Sequence, residues 1–140
     1  MTRSDETIYR GEMLYGPEEI TMRVCVGGVE LSPARSLRFF ERSPRGYQWS
    51  WDDPWLLSFA LILDATNNPR AAYRWYESFT LQSVMYWPYD IWEVTAGLLR
   101  ETVQLLRANH AGRFPDDSTC ALLRLLGRPG NATQAKGGGK

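Results

Sequence analysis

Ile20-Thr21-Met22-Arg23-Val24-Cys25-Val26-Gly27-Gly28-Val29-Glu30-Leu31 is the stretch that decides the fold class. Ile20, Met22, Val24 and Val26 alternate with Thr21, Arg23 and Cys25, the two-residue period of a strand with one buried face. Gly27-Gly28 supplies two positive-φ positions for a tight turn, and Val29-Glu30-Leu31 returns beside the first strand. Towards the N-terminus, Thr7-Ile8-Tyr9-Arg10 reads as a short first strand and Gly16-Pro17 as a turn. Towards the C-terminus, Ser36 to Phe40 is either a further strand or part of a short helix begun by Ser32-Pro33. Ser43-Pro44-Arg45-Gly46 turns the chain, and Tyr47-Gln48-Trp49-Ser50-Trp51 alternates aromatic with polar residues as a strand does.

Beyond Trp51 the period changes. Asp53-Pro54 is a helix cap followed by proline in the first turn, and Trp55 to Ala65 is apolar almost all round. Such a helix has to be covered on most sides, which places it at the centre, with Leu57, Leu61 and Ile62 buried. Asn68-Pro69 repeats the start signal, and Ala72, Trp75, Tyr76 and Phe79 follow at helical spacing until Trp87-Pro88. Thr95 can cap a third helix striped by Leu99, Val103 and Leu106, ending near Gly112. Asp117 can cap a short fourth, Cys120 to Leu126, closed by Gly127. The expected fold is therefore α+β: a small antiparallel sheet from residues 7 to 51 in the N-terminal half, packed against three or four helices from 54 to 126 in the C-terminal half. Residues 1–127 form the single domain. Residues 128–140 have nothing large and apolar to bury and are expected to be a disordered basic tail.

A chain of 140 residues that is 44% apolar can bury one core without disulfides or metals. Its longest apolar run, Trp55 to Leu63, is interrupted by Ser58 and is far short of the roughly 18 residues a membrane helix needs. Met1 to Glu6 lacks a charged-then-apolar leader pattern, so the expected compartment is the cytoplasm, away from membranes. Sixteen basic residues balance sixteen acidic ones, and no global field draws the protein to nucleic acid. The balance is uneven locally: residues 48–110 hold seven acids against four arginines, a net of −3. Residues 111–140 hold five bases against two acids, a net of +3.

No catalytic, cofactor-binding or metal-ligating set can be assembled, so no cofactor is expected. Cys25 and Cys120 are the only cysteines and His110 the only histidine, too few for a zinc site or a Cys-His or Ser-His-Asp set. Asp52-Asp53 is explained by capping. Asp64, at the end of the apolar helix, fits a buried acid or an arginine partner. Asp90 and Glu93 flank Trp92 in what reads as a surface loop. The candidate binding surface is Arg35, Arg38, Arg42 and Arg45 beside Tyr47, Trp49 and Trp51: arginines suit phosphate or acidic groups, and one strand face with three rings exceeds what most cores use. The simpler reading of the arginines is a solvated turn with Glu41 in its midst, and that of the other tryptophans an aromatic core.

The order Ser43-Pro44-Arg45-Gly46-Tyr47-Gln48-Trp49, then Ala60-Leu61-Ile62-Leu63-Asp64, then Tyr76 and Phe79, then Pro88-Tyr89-Asp90-Ile91-Trp92-Glu93-Val94-Thr95 resembles a family of small proteins of unknown function from bacteria, phages and plasmids. The likeness extends over roughly two thirds of the chain, with several motifs in order. Arg42 stands where a histidine is common in that pattern, and Ser50-Trp51-Asp52-Asp53 replaces a Gly-rich loop. The resemblance implies a mobile-element setting and no particular reaction. The expected function is a non-enzymatic accessory protein of a phage or mobile element that binds a host or phage protein, with inhibition of a polymerase, nuclease or defence complex as its concrete form. A nucleic-acid-binding module is the alternative. A hydrolase or nuclease built on Asp64, Asp90 and Glu93 is the third reading, and the oligomeric state stays open.

Overall fold

The computed structural model describes residues 3–39, 49–110, 123, 126 and 127, with the side chains of 109 and 110 left aside. The turn at Ser43–Gly46, Tyr47, the segment from 111 to 122 with Cys120, and the tail from 128 lie outside the described residues. Strands β1 (Ile8–Tyr15), β2 (Ile20–Val26) and β3 (Val29–Glu30) are followed by the short helix α1 (Ala34–Leu37). Helices α2 (Pro54–Thr66) and α3 (Pro69–Gln82), strand β4 (Ile91–Thr95) and helix α4 (Ala96–His110) complete the order. The four strands form one antiparallel sheet in the order β3-β2-β1-β4. The fold is α+β, as the periodicities require.

The alternation of β2 sends Met22, Val24 and Val26 into the core, and Gly27 and Gly28 take φ of 58° and 83° in the turn to β3. On β1 the same face carries Tyr9, Gly11 and Met13. Gly11 is a contact requirement: a methyl there would lie 2.1 Å from the indole of Trp92, which packs across the strand from β4. The opposite face is charged, with Arg10 paired to Glu93 at 2.7 Å and Arg23 to Glu12, each directly across a strand boundary.

Helix α2 is the hub, packing against α1, α3 and α4. Leu57, Leu61 and Ile62 are buried. The side chain of Asp53 accepts from Leu56 N at 3.3 Å, and that of Asn68 from Arg70 N at 3.0 Å, so both proline-marked starts are capped. Thr95 Oγ1 accepts from Leu98 N at 3.1 Å and starts α4. Among the described residues no helix is long and apolar enough to cross a membrane.

Three local expectations are corrected, and one open pair of alternatives is decided. Ile91–Thr95 is a strand, not a surface loop: Trp92 and Val94 point inward and Glu93 outward, so Glu93 belongs to the charged face. Thus one strand of the sheet comes from the C-terminal half. Of the two alternatives for residues 36–40 the helix holds: Ser36 and Leu37 lie in α1, and Ser32 Oγ accepts from Ala34 N at its start. Helix α3 ends at Gln82, before Trp87-Pro88, and a 3-10 turn (Val84–Tyr86) intervenes. There Ser83 Oγ accepts from Trp87 Nε1 at 3.0 Å and donates to Leu123 O at 2.6 Å, which makes the break part of the core. Finally, the expected strand around Trp49 is a single bridge to Met22 on the edge of β2.

Candidate functional site

Among the described residues, burial along the inward face of β1 and β2 ends before the strands do. Tyr9, Val24 and Val26 share a face with Tyr15 and Ile20, by strand alternation, yet Tyr9 and Val24 are 0% exposed while Tyr15 and Ile20 are 63% and 50% exposed. Tyr15 and Ile20 are direct cross-strand partners, and Gly16 N donates to Glu19 O at 2.9 Å to close the turn between them. The uncovered end of this face forms one wall of a cleft of about 150 Å³.

The other walls come from distant segments. Trp49 is buried at the base, its Nε1 donating to Leu31 O at 2.8 Å. Ser50 accepts from the backbone of Asp52 and Asp53, at Oγ and O respectively, and this turn lifts half-buried Trp51 beside the cleft before α2 begins. Trp51 Nε1 donates to Tyr89 O at 3.1 Å, and its ring stacks on that of Tyr89 with centroids 6.4 Å apart and planes 28° apart. Tyr89 is 54% exposed. Met13 N donates to Asp90 O at 2.9 Å, which prolongs the β1–β4 ladder and fixes this loop against the sheet. Tyr15 Oη donates to Asp90 Oδ1 and ties the loop to the strand end. That bond holds the Tyr15 phenol above its ordinary pKa.

Carboxylates gather on the turn side of the cleft, while Arg23 lines the groove on its other side, which shares Thr21, Met22 and Trp49 with it. Asp52 lines the cleft, Asp90 stands at its rim, and Glu18 and Glu19 line the adjoining groove at the β1–β2 turn. Among the described residues that line the cleft and this groove there is no Arg, Lys or His.

The residues singled out from sequence separate into three groups. Trp49 and Trp51 both reach the cleft, Trp49 as buried floor and Trp51 as wall. Arg35 lies in α1 and Arg38 caps its end, and neither lines the cleft or the turn groove; Arg35 donates to Asn67 Oδ1 at 2.5 Å, at the left-handed residue that ends α2. Arg42, Arg45 and Tyr47 lie outside the described residues. The carboxylates of the third reading are not brought together. Asp64 accepts from Tyr9 Oη at 2.5 Å and Arg3 Nε at 3.0 Å, while Asp90 meets Tyr15, and Tyr9 and Tyr15 are six residues, about 20 Å, apart along β1. Burial first, then the bond to Asp64, pushes the Tyr9 phenol far above its ordinary pKa. Glu93 is engaged on the far face with Arg10.

Sequence reading missed Tyr15, Ile20 and Tyr89. A signal for the first two existed: the alternation of β2 begins at Ile20, and hydrophobes continue on β1 to Tyr15, longer than a sheet covered along its whole length would need. The model of DUF6166, a family of unknown function, matches residues 9–105, which span every element from β1 through most of α4 and so include the cleft. No curated protein and no solved structure matches the chain.

Proposed function

The chain belongs to DUF6166, a family of unknown function, and from the geometry of its cleft we propose that it is a non-enzymatic accessory protein of a phage or other mobile element that binds and inhibits a host macromolecular machine in the bacterial cytoplasm. A polymerase, nuclease or defence complex is the kind of target meant. The observation that carries the reading is the apolar face of β1 and β2 continuing to exposed Tyr15 and Ile20, with Ile20 in the wall of the cleft that Trp51 and Tyr89 also line and Tyr15 in the adjoining groove. Rigid, partly exposed tyrosine and tryptophan around a shallow cleft is the composition of protein-binding hot spots. These rings are held by the Trp51–Tyr89 and Tyr15–Asp90 hydrogen bonds, so little ordering entropy is lost on docking. Nucleic acid is the less favoured ligand, because Trp49 is buried and the cleft is lined by carboxylate.

The test is retention of host proteins from lysate by the full chain, with and without nuclease, beside the double variant Tyr15→Ala/Tyr89→Ala. A protein retained after nuclease treatment and lost with the variant, whose melting temperature is unchanged, supports the proposal. Retention that disappears with nuclease, or that the variant leaves intact, overturns it.

A further inference from the structure

We propose that α1 and the first turns of α3 form a site for single-stranded nucleic acid, with Arg35, Arg38, Arg70 and Arg74 on the phosphates and the Tyr73 ring against a base. The surface is separate from the cleft, whose carboxylates disfavour nucleic acid: none of these five residues lines the cleft or its two grooves. The inference goes beyond the protein-binding reading and does not depend on it.

Three observations carry it. The first is how the fold divides its arginines. Arg3, Arg10, Arg23 and Arg100 are each bonded to a carboxylate, those of Asp64, Glu93, Glu12 and Asp5 in turn. Arg35, Arg38, Arg70 and Arg74 are exposed, and none of them forms an ion pair among the described residues.

The second is that tertiary contacts gather these four. Arg35 donates to Asn67 Oδ1, beside Asn68, whose side chain caps the start of α3. Arg38 caps the end of α1, and the next residue, Phe39, accepts from Tyr73 Oη of α3 at its backbone oxygen. Arg70 and Arg74 lie four residues apart on one face of α3, with Tyr73 between them in sequence. Like charges at that spacing destabilise a helix, and the positive end of the α3 dipole adds to the field. Glu77 follows one turn after Arg74 and forms no ion pair with it. A ligand of repeated negative charge relieves this repulsion.

The third is chemistry. A guanidinium presents a flat fork of donors that matches a phosphate. Tyr73 is half exposed, and its ring is held by the bond to Phe39 O and an edge contact with Phe59, centroids 5.0 Å apart. An exposed ring among arginines lets a base stack while its phosphates are neutralised. A duplex keeps its bases stacked on one another and leaves that ring unused.

The probe is a short, fluorescently labelled oligothymidylate titrated into the full chain at several salt concentrations and followed by anisotropy. A labelled duplex and polyglutamate are the comparisons. Saturable binding of the single strand is expected, tighter than that of either comparison. Its log K should fall against log salt with a slope of about −2 to −3, at about 0.7 per phosphate neutralised. Arg38→Gln/Arg70→Gln/Arg74→Gln should weaken binding at least tenfold and shallow the slope by about 2. Tyr73→Phe should bind as the parent does, while Tyr73→Leu should lose roughly tenfold with the stacking. The three glutamines replace exposed side chains outside any ion pair, so a thermal melt should show the fold kept. No saturable binding at low salt, or an affinity and slope that the triple variant shares with the parent, overturns the proposal. So does a duplex or polyglutamate bound as tightly as the single strand; the latter would make the surface a dock for an acidic protein segment. Nuclease-resistant retention of the host protein separates this surface from the cleft. The triple variant should keep it, and its loss would put the arginines in the protein interface and overturn their assignment to nucleic acid.

Discussion

The two ends of β1 and β2 are built from the same alternation and have opposite fates. At one end Tyr9, Val24 and Val26 are sealed under the helices, and the polar atom that cannot avoid burial, Tyr9 Oη, is met by Asp64 and through it by Arg3. At the other, Tyr15 and Ile20 keep the inward-facing pattern yet are exposed, and the Tyr15 hydroxyl is tied to a loop carboxylate. Pattern alone sets which side of a sheet is apolar. How far that side is covered depends on the lengths of helices placed by tertiary packing.

If the sealed end is the stabilising half of the molecule, its changes should be costly. Leu61 is fully buried in α2, and Leu61→Ala should lose about 2–5 kcal/mol in chemical denaturation. A loss below about 0.5 kcal/mol, the level of surface changes, would remove α2 from the hub. Gly11→Ala is the next most costly. Its methyl meets the indole of Trp92, a fully buried ring that cannot yield freely, and about 1–3 kcal/mol should be lost. If Trp92→Leu in the same chain makes room for the methyl, the double variant should recover part of that loss, which a purely backbone effect of the alanine would not allow.

Much of this sealed half was legible beforehand, and the reasons are local. Asp53-Pro54 and Asn68-Pro69 write capping chemistry into adjacent residues, and Gly27-Gly28 writes a turn, so α2, α3 and the β2–β3 hairpin follow from short-range pattern. Strand β4 was not legible, because five residues between a proline loop and a helix, with Asp90 and Glu93 beside Trp92, resemble a loop until β1 supplies the pairing. The cleft was half legible. Trp51 was found as a surplus ring, but Trp49 is drawn inside by a bond to Leu31 O and a bridge to Met22, partners that lie 18 and 27 residues earlier in the chain. Tyr89 joins Trp51 across 38 residues, a meeting only the fold arranges.

The polar network at the sealed end gives a smaller effect with a definite pH sign. Because the Tyr9 phenol is raised above its ordinary value, the native state keeps that proton to higher pH than the unfolded chain does. Its contribution is therefore complete below a pH of about 10 and is lost as pH rises above it, at up to about 1.4 kcal/mol per pH unit. Tyr9→Phe should cost about 1–2 kcal/mol at neutral pH, through the lost bond to Asp64, and should flatten the alkaline decline of stability. An alkaline slope identical in the two proteins would mean that the phenol is as free to ionise in the fold as out of it.

The smallest stability effect is expected at the open end, and that smallness is what separates the two halves. Tyr15 and Ile20 touch each other across the strands, and a cross-strand pair of this kind contributes roughly 0.2–1 kcal/mol. Tyr15→Ser/Ile20→Ser should therefore lose less than about 1 kcal/mol. Serine has adequate freedom in a strand, the turn closed by Gly16 N and Glu19 O is untouched, and the buried residues Met22 and Trp49 below keep their contacts. The same variant should lose partner retention almost completely, because it removes Ile20 from the cleft wall and Tyr15 from the adjoining turn groove. Chemical denaturation and partner retention on one preparation decide the matter. A large stability loss would show that Tyr15 and Ile20 complete the core, in which case the two ends of the sheet differ in degree alone. Small stability loss with retention intact would leave the exposed end without a role in binding. Small stability loss with retention abolished is the result that assigns folding to one end of these strands and recognition to the other.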